Sequence, residues 1–363
     1  MLSIFMTDLK KEFPVLQEYT YLNTASCGLL SKTLTEWRRE QDDRLLKGGS
    51  VFRDLHKPHI ERIRSTVARF FSASEMEIAL IPNFSFGFNT LLNGLPKNKK
   101  VLLLKTDYPS INWPVENRDF DVCYAEVDTN LEQNIEEAVR EHQPDVFAFS
   151  IVQYLTGIKI DFDFLKRLKA YHPDLLLIGD GTQFLGTSEF SFSESPLDVV
   201  AASTYKWMLS GYGNGLLMIK EDAQRKILPE TIGFNSADAI FSKRNDFAYV
   251  KHFEPGHQDT LNYGSLEQSI LNMENIGMDV ISERIASLST LAKLRFAELD
   301  LLDETTLNRE QHSNIFSLKG GDAIFQKLKE NKIICSQRGK GIRVGFHFYN
   351  TEEDLEKLIK VFK

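Results

Sequence analysis

Lys206 lies in the stretch Ser203-Thr204-Tyr205-Lys206-Trp207-Met208, just after an apolar run, and a second such run upstream ends in Asp180. A lysine delivered by a buried strand is partly desolvated; its pKa falls, and the neutral amine becomes available to form a Schiff base with an aldehyde. An aspartate at a neighbouring strand end is the partner that a pyridinium nitrogen requires. The pairing points to pyridoxal phosphate. Taken singly, Lys206 reads as a surface lysine whose stem packs on Trp207, and Asp180 as a strand-end turn former. The chemical reading therefore rests on what surrounds them.

Apolar runs bounded by turn residues recur at 78–81, 101–104, 146–151, 175–178, 199–202 and 216–219, and read as buried strands. Helical patterns at 130–142 and 162–172, the second closed by Pro173, fall between them. Alternating strand and helix predicts an α/β fold with a doubly wound, mostly parallel sheet, in which ligands sit beyond the carboxyl ends of the strands. Asp180, Lys206, Tyr108 and Ser85 all follow such runs closely. Residues 266–299 read as one long helical stretch. Ile333-Ile334, a turn at 339–341, a strand at 342–348 and a terminal helix from Glu352 come after it. The expected organisation is a large domain over 15–254 and a smaller α+β C-terminal domain over 255–363, joined by residues 1–14.

The chain has 363 residues, 42% hydrophobic and 26% charged, which is the composition of a globular protein and not of a disordered one. A net charge of -8 without a Lys/Arg block argues against nucleic acid or an anionic membrane as partner, so an anionic ligand must be held by local groups. Cys27, Cys123 and Cys335 are odd in number and widely spaced, giving neither a disulfide framework nor metal-ligand spacing; a cytoplasmic location is expected. The apolar stretch Leu2 to Met6 is too short for a signal sequence, and no later run is long enough to span a bilayer.

Asn83-Phe84-Ser85-Phe86-Gly87-Phe88-Asn89 follows a strand and opens a helix. Its backbone N–H groups and the Ser85 hydroxyl could hold a phosphate at the positive helix end; equally, Ser85 could be a plain N-cap. Gly211, Gly213 and Gly215 permit a tight turn after the lysine. They lack the G-x-G-x-x-G spacing of a dinucleotide site, which opposes a nicotinamide-dependent oxidoreductase, and no G-x-S-x-G nucleophile elbow occurs.

With Tyr21-Leu22-Asn23-Thr24-Ala25-Ser26-Cys27-Gly28 near the N-terminus and the later landmarks in order, the chain resembles the class V aminotransferases, fold type I pyridoxal-phosphate enzymes that include cysteine desulfurases, kynureninases and isopenicillin-N-epimerase-like proteins. The resemblance covers most of the chain. It implies a phosphate cradle at Phe84 and Ser85, where other members carry a threonine, with Ser203 and Tyr205 contributing; histidine is commoner at the position of Tyr205. It implies that Tyr108 stacks on the cofactor ring, Asp180 holds the ring nitrogen protonated, Gln183 reaches the phenolic oxygen and Lys206 forms the Schiff base. Tyr154 stands where desulfurases use an asparagine, so a core role is equally open to it. The segment Phe253-Glu254-Pro255-Gly256-His257 matches one that crosses to the other subunit's phosphate site, with His257 replacing a threonine. A homodimer is implied.

In the same comparison Arg343, within Gly341 to Thr351, falls on the arginine that binds a substrate α-carboxylate, with Arg338 and Asn23 nearby; a structural ion pair with an acid of the small domain is the other reading of Arg343. The expected function is aminotransferase action on an α-amino acid, with kynureninase-like cleavage or epimerisation as alternatives and a non-catalytic scaffold of the same fold opposed by the presence of Lys206, Asp180 and Arg343 together. Desulfurases need a cysteine on a loop before the carboxylate arginine, yet only four residues separate Arg338 from Arg343 and none is cysteine.

Overall fold

The computed structural model describes residues 9–363; the stretch Leu2 to Met6 and most of segment 1–14 lie outside or at the edge of that range. Twelve strands occur among the described residues: β1 (Thr20–Tyr21), β2 (Ile78–Ile81), β3 (Lys100–Leu104), β4 (Asp121–Ala125), β5 (Val146–Ser150), β6 (Leu176–Asp180), β7 (Val199–Ser203), β8 (Gly215–Ile219), β9 (Ile315–Lys319), β10 (Ile333–Ile334), β11 (Ser336–Arg338) and β12 (Gly341–Gly345). Seven form the central sheet in the order β2-β8-β7-β6-β5-β3-β4. All its pairings are parallel except those of β8, which runs antiparallel to both β2 and β7.

This sheet is covered on both faces, which is why its strands are continuous apolar runs. Alternate residues serve opposite cores: Phe147 and Phe149 of β5 enter one cluster, Val146 and Ala148 the other. The order of strands places the carboxyl ends of β3, β5, β6 and β7 side by side, the edge at which a doubly wound sheet accepts ligands. Helix α1 (Phe84–Asn93) follows β2, and its N-cap is Asn83, whose side chain accepts from the Phe86 N–H. Ser85 is therefore inside the first turn and is not the cap, which leaves its hydroxyl for other work.

The expected single helix over 266–299 is two helices, α2 (Thr260–Ile276) and α3 (Met278–Glu298). Gly277 separates them at φ 95°, a left-handed conformation that ends one helix while its N–H still bonds the Met273 carbonyl. Hydrophobic periodicity runs across such a break without registering it. Core membership also crosses the expected division at 254/255: Leu266, Ile270, Met273, Ile281 and Ile285 pack in a core of the large sheet, while Leu288, Ala292 and Phe296 pack in the small one.

The small core is built on an antiparallel sheet, β11-β12-β9, with helices Asp322–Glu330 and Glu352–Phe362. Leu22 joins it, because β1 pairs in parallel with β10 and the Leu22 carbonyl accepts from the Gly345 N–H at 2.9 Å. Segment 20–28 thus leaves the small sheet and runs directly to the lysine loop, where the Gly28 N–H donates to the Tyr205 carbonyl at 3.1 Å. A Cβ on Gly28 would collide with the Tyr205 and Lys206 carbonyls, so only glycine allows that approach.

Candidate active site

Asp180 ends β6 and pairs in register with Ala201 of β7, two residues before Ser203, from which the chain turns off the sheet into Thr204–Met208. Lys206 and Asp180 are both buried, and each lies within the other's electrostatic reach. Burial dominates both: it pushes the Lys206 ammonium down to about 8 and the Asp180 carboxyl up to about 6, while their mutual attraction opposes each shift. One oxygen of Asp180 accepts from the Thr182 N–H at 2.8 Å, and the Thr182 hydroxyl in turn accepts from the Ser203 N–H at 3.1 Å. The two strand ends are locked to one another.

The Lys206 Nζ stands 5.7 Å from the Tyr108 ring centre and 5.8 Å from that of Tyr205. Tyr108 meets Tyr154 edge to face at 5.2 Å, and Tyr205 stacks on Tyr212 at 4.4 Å. Tyr108 is held by Asp107, which the sequence reading passed over. The Asp107 carboxylate accepts from the Tyr108 N–H at 2.7 Å and from the Ser150 N–H at 2.8 Å, tying the end of β3 to that of β5. Its signal was the one used for Asp180, an acid just beyond an apolar run.

At the start of helix α1, the Phe84 N–H donates to the Ser203 hydroxyl at 2.9 Å and the Ser85 hydroxyl donates to Ser110 at 3.0 Å. Phe84, Ser85, Ser110 and Ser203 therefore converge on a helix N-terminus of positive dipole beside Lys206, a place suited to an anion. Gln183 is buried and doubly engaged: its amide N–H donates to the Ala25 carbonyl at 2.9 Å, and its oxygen accepts from the Trp207 indole at 2.7 Å. Trp207 links onward to the small domain, for its carbonyl meets the His347 Nε2 at 2.9 Å. The Phe348 N–H donates to His347 Nδ1 at 2.8 Å, so the ring proton sits on Nε2, and burial pushes the imidazole pKa down to about 3. Nothing local in the sequence marks His347; a contact across 140 positions puts it there.

Arg343 of β12 is only 3% exposed. It donates to the Tyr154 carbonyl at 2.8 Å and to the Ser26 hydroxyl, and its Nε is buried without a partner. Among the described residues no carboxylate pairs with it, which removes the reading of Arg343 as a structural ion pair. Burial, aided by the neighbouring Arg338 charge, pushes its pKa down to about 10. The Asn23 Oδ1 is likewise buried and unbonded. Arg338 is exposed on β11.

His257 is the member that the fold does not bring to Lys206. It is exposed, stacks on Phe234 at 4.9 Å, and lines a separate cavity of about 690 Å³ with Arg53, Lys57, Arg64 and Lys251. The resemblance assigns His257 to the phosphate site of another subunit, so a place apart from Lys206 of the same chain is consistent with that expectation.

Residues 47–358 match the family model "Aminotransferase class-V". The chain belongs to that family. A relative in Bacillus subtilis (strain 168), named uncharacterized aminotransferase YcbU, is 23% identical over 358 residues, covering 96% of this chain and 94% of that protein. Among solved structures, the apo cysteine desulfurase of Thermococcus onnurineus NA1 superposes with a TM-score of 0.84 at 20% identity, over 98% of this chain and 96% of that one. A variant of C-DES with glycine covalently linked to its pyridoxal-phosphate cofactor gives 0.85 at 19% identity, over 97% and 98%. These likenesses bear out the fold type I architecture. The pyridoxal-phosphate cofactor of the family also fits the residues present. They offer a desolvated amine, a buried carboxyl, an aromatic face, a hydroxyl-lined helix N-terminus, and unpartnered polar atoms on Asn23 and Arg343. The protein is a pyridoxal-phosphate-dependent enzyme of the class V aminotransferase family.

Proposed function

We propose that the enzyme is an aminotransferase acting on an α-amino acid. The observation that carries this reading is Arg343, a buried guanidinium with no counterion among the described residues, beside the lysine site. An uncompensated buried charge is costly, and a planar fork in this state fits a carboxylate that arrives with the substrate. The cofactor, when bound, supplies an aldehyde for the substrate amine and a ring that takes up the electrons left at Cα. Phe84, Ser85, Ser203 and Tyr205 would hold its phosphate, Tyr108 would offer an aromatic face to its ring, and Gln183 has an amide hydrogen not given to Ala25 that would serve its phenolic oxygen. Asp180 would be the partner of its ring nitrogen. Arg343, with Asn23, fixes the carboxylate and so aims the Cα–H bond at Lys206. The lowered pKa of Lys206 makes its amine available as the base that takes the Cα proton and returns it.

Cysteine desulfuration is the second reading, favoured by the name of a similar structure. Against it, the turn from Gly339 to Ile342 holds no cysteine, and Cys335 is half-buried with its thiol pushed up to about 11, away from the thiolate form. The alternatives that remain, epimerisation and kynureninase-like cleavage, differ in the fate of the same Cα carbanion. We further propose a homodimer: Leu228, Ile232, Phe234 and Phe241 are exposed apolar side chains in the stretch before the segment that carries His257. A cytoplasmic location is proposed from the three unpaired thiols. Among the described residues no helix is long and apolar enough to cross a membrane. Incubating the holoenzyme with single amino acids and a 2-oxo acid acceptor, and identifying the products, separates the readings. Amino-group transfer supports the proposal. Sulfide from cysteine, inverted amino acid, or a shortened side chain would replace it.

A further inference from the structure

The β11–β12 hairpin sorts its side chains by face. Ser336 pairs with Arg343, Gln337 with Ile342 and Arg338 with Gly341, and directly paired residues of an antiparallel ladder project to one side. Ile342 is fully buried in the small-domain core and Gln337 bonds Asp322 at 2.8 Å, which assigns their face to the small domain. Ser336, Arg338 and Arg343 share the other face. That face is turned to the site: Ser336 Oγ accepts from the Ser26 hydroxyl at 3.5 Å, Arg343 reaches Ser26 and the Tyr154 carbonyl, and the tip at Gly339 lies beside Leu155.

Arg338 and Arg343 are diagonal neighbours on this face, about 7–8 Å apart at the backbone. Gly341, opposite Arg338, puts no side chain between them. Among the described residues neither guanidinium has a carboxylate partner, and the charge of Arg338 is felt at Arg343, Tyr154 and Lys206. Two guanidiniums without a carboxylate partner among the described residues thus share one face, Arg343 buried and Arg338 exposed.

We propose that Arg338 is a specificity-determining residue that binds an acidic group at the end of the substrate side chain, so that the preferred substrate is a dicarboxylic amino acid. The inference rests on the proposed role of Arg343 at the α-carboxylate. An amino acid with one carboxylate leaves the Arg338 fork in water; one with a second carboxylate several bonds away bridges the two forks and neutralises both charges. The exposed position of Arg338 also explains how side chains of varied length would be read: the outer fork sits on a flexible stem at the edge of the sheet. The competing account is that Arg338 is only a solvated edge-strand cation, as sheets commonly carry to discourage further pairing.

Calorimetric titration of the holoenzyme with succinate and with butyrate, four-carbon acids that lack an amino group, tests the subsite without turnover. Wild type is expected to bind succinate at least about tenfold more tightly than butyrate, the worth of one charge-assisted hydrogen bond. Arg338→Gln should collapse that ratio toward one, and Arg338→Lys should restore part of it. The ratio of kcat/KM for glutamate over alanine should fall in parallel, while the melting temperature holds. Equal binding of the two acids by wild type, or equal weakening of both by Arg338→Gln, would overturn the proposal, the second because Arg338 would then share the α-carboxylate. Arg343→Gln isolates the underlying reading: it should weaken both acids, and if it weakened neither, the α-carboxylate assignment itself would fail whatever Arg338 did.

Discussion

At the carboxyl edge of the large sheet, Lys206 and Asp180 are buried within each other's field, whereas on the small-domain hairpin Arg343 and Arg338 share a face and have no carboxylate partner among the described residues. The first pair is an amine and a carboxyl. Its members have pKa values brought toward neutrality, one from above and one from below, by the same loss of water. In the second, Arg343 stays cationic, because even a depressed guanidinium at about 10 is charged at neutral pH. Burial of Lys206 and Asp180 therefore favours proton chemistry, whereas the equally buried Arg343 stays a binding group, according to where the pKa of each side chain begins. Trp207 joins the two, through Gln183 on one side and His347 on the other.

The largest expected effect lies at the sheet edge. Lys206→Ala should reduce turnover by about 10³-fold or more, since base and covalent anchor vanish together. Borohydride reduction of the wild-type holoenzyme followed by peptide mass spectrometry should place the pyridoxyl group on Lys206. Its appearance on another lysine would break the comparison at its first member. Asp180→Ala should leave cofactor attachment possible and lower the rate of Cα–H exchange by about 10²-fold or more, measured by loss of deuterium from a labelled amino acid. Near-normal exchange would reduce Asp180 to a strand-end residue.

The hairpin should answer differently. Arg343→Ala is expected to weaken amino-acid substrates and carboxylate inhibitors by about 2–5 kcal/mol, with cofactor affinity little changed and Arg343→Lys an incomplete rescue. Amines lacking the carboxylate are the control. If they lost affinity equally, Arg343 would be a structural residue of the small domain.

The smallest effect sharpens the contrast by pH. A lysine lowered to about 8 is neutral over a wider range than one at 10.5, so covalent attachment of pyridoxal phosphate to the apoenzyme should accelerate as pH rises, with its midpoint at about pH 8 and a plateau above it. Stopped-flow absorbance reads this directly. Continued acceleration past pH 10 would mean that burial does not set the amine's pKa.

Much of the sheet edge was legible in sequence because its parts are local. Each apolar run is a strand covered on two faces, and the residue that follows it must stand at the ligand edge; Asp180, Lys206, Tyr108 and Ser85 needed only that rule. Asp107 obeys the same rule, and its bond to the Ser150 N–H, 43 positions away, is what gives it a role at the edge. The kink at Gly277 was invisible to periodicity, since the apolar face resumes on the far side of one left-handed residue.

Residue type and spacing alone determined the alternation of strands and helices, the lysine and carboxylate at adjacent strand ends, and the turn glycines after the lysine, for these follow from backbone sterics and from the burial of short runs. Tertiary structure alone decided that Arg343 lacks an acid partner among the described residues, that Gln183 is held by Trp207 and Ala25, and that His347 braces the lysine loop. Each of these depends on which groups, up to hundreds of positions apart, are left with or without a partner once water has been excluded. That is a property of the packed chain and of no segment within it.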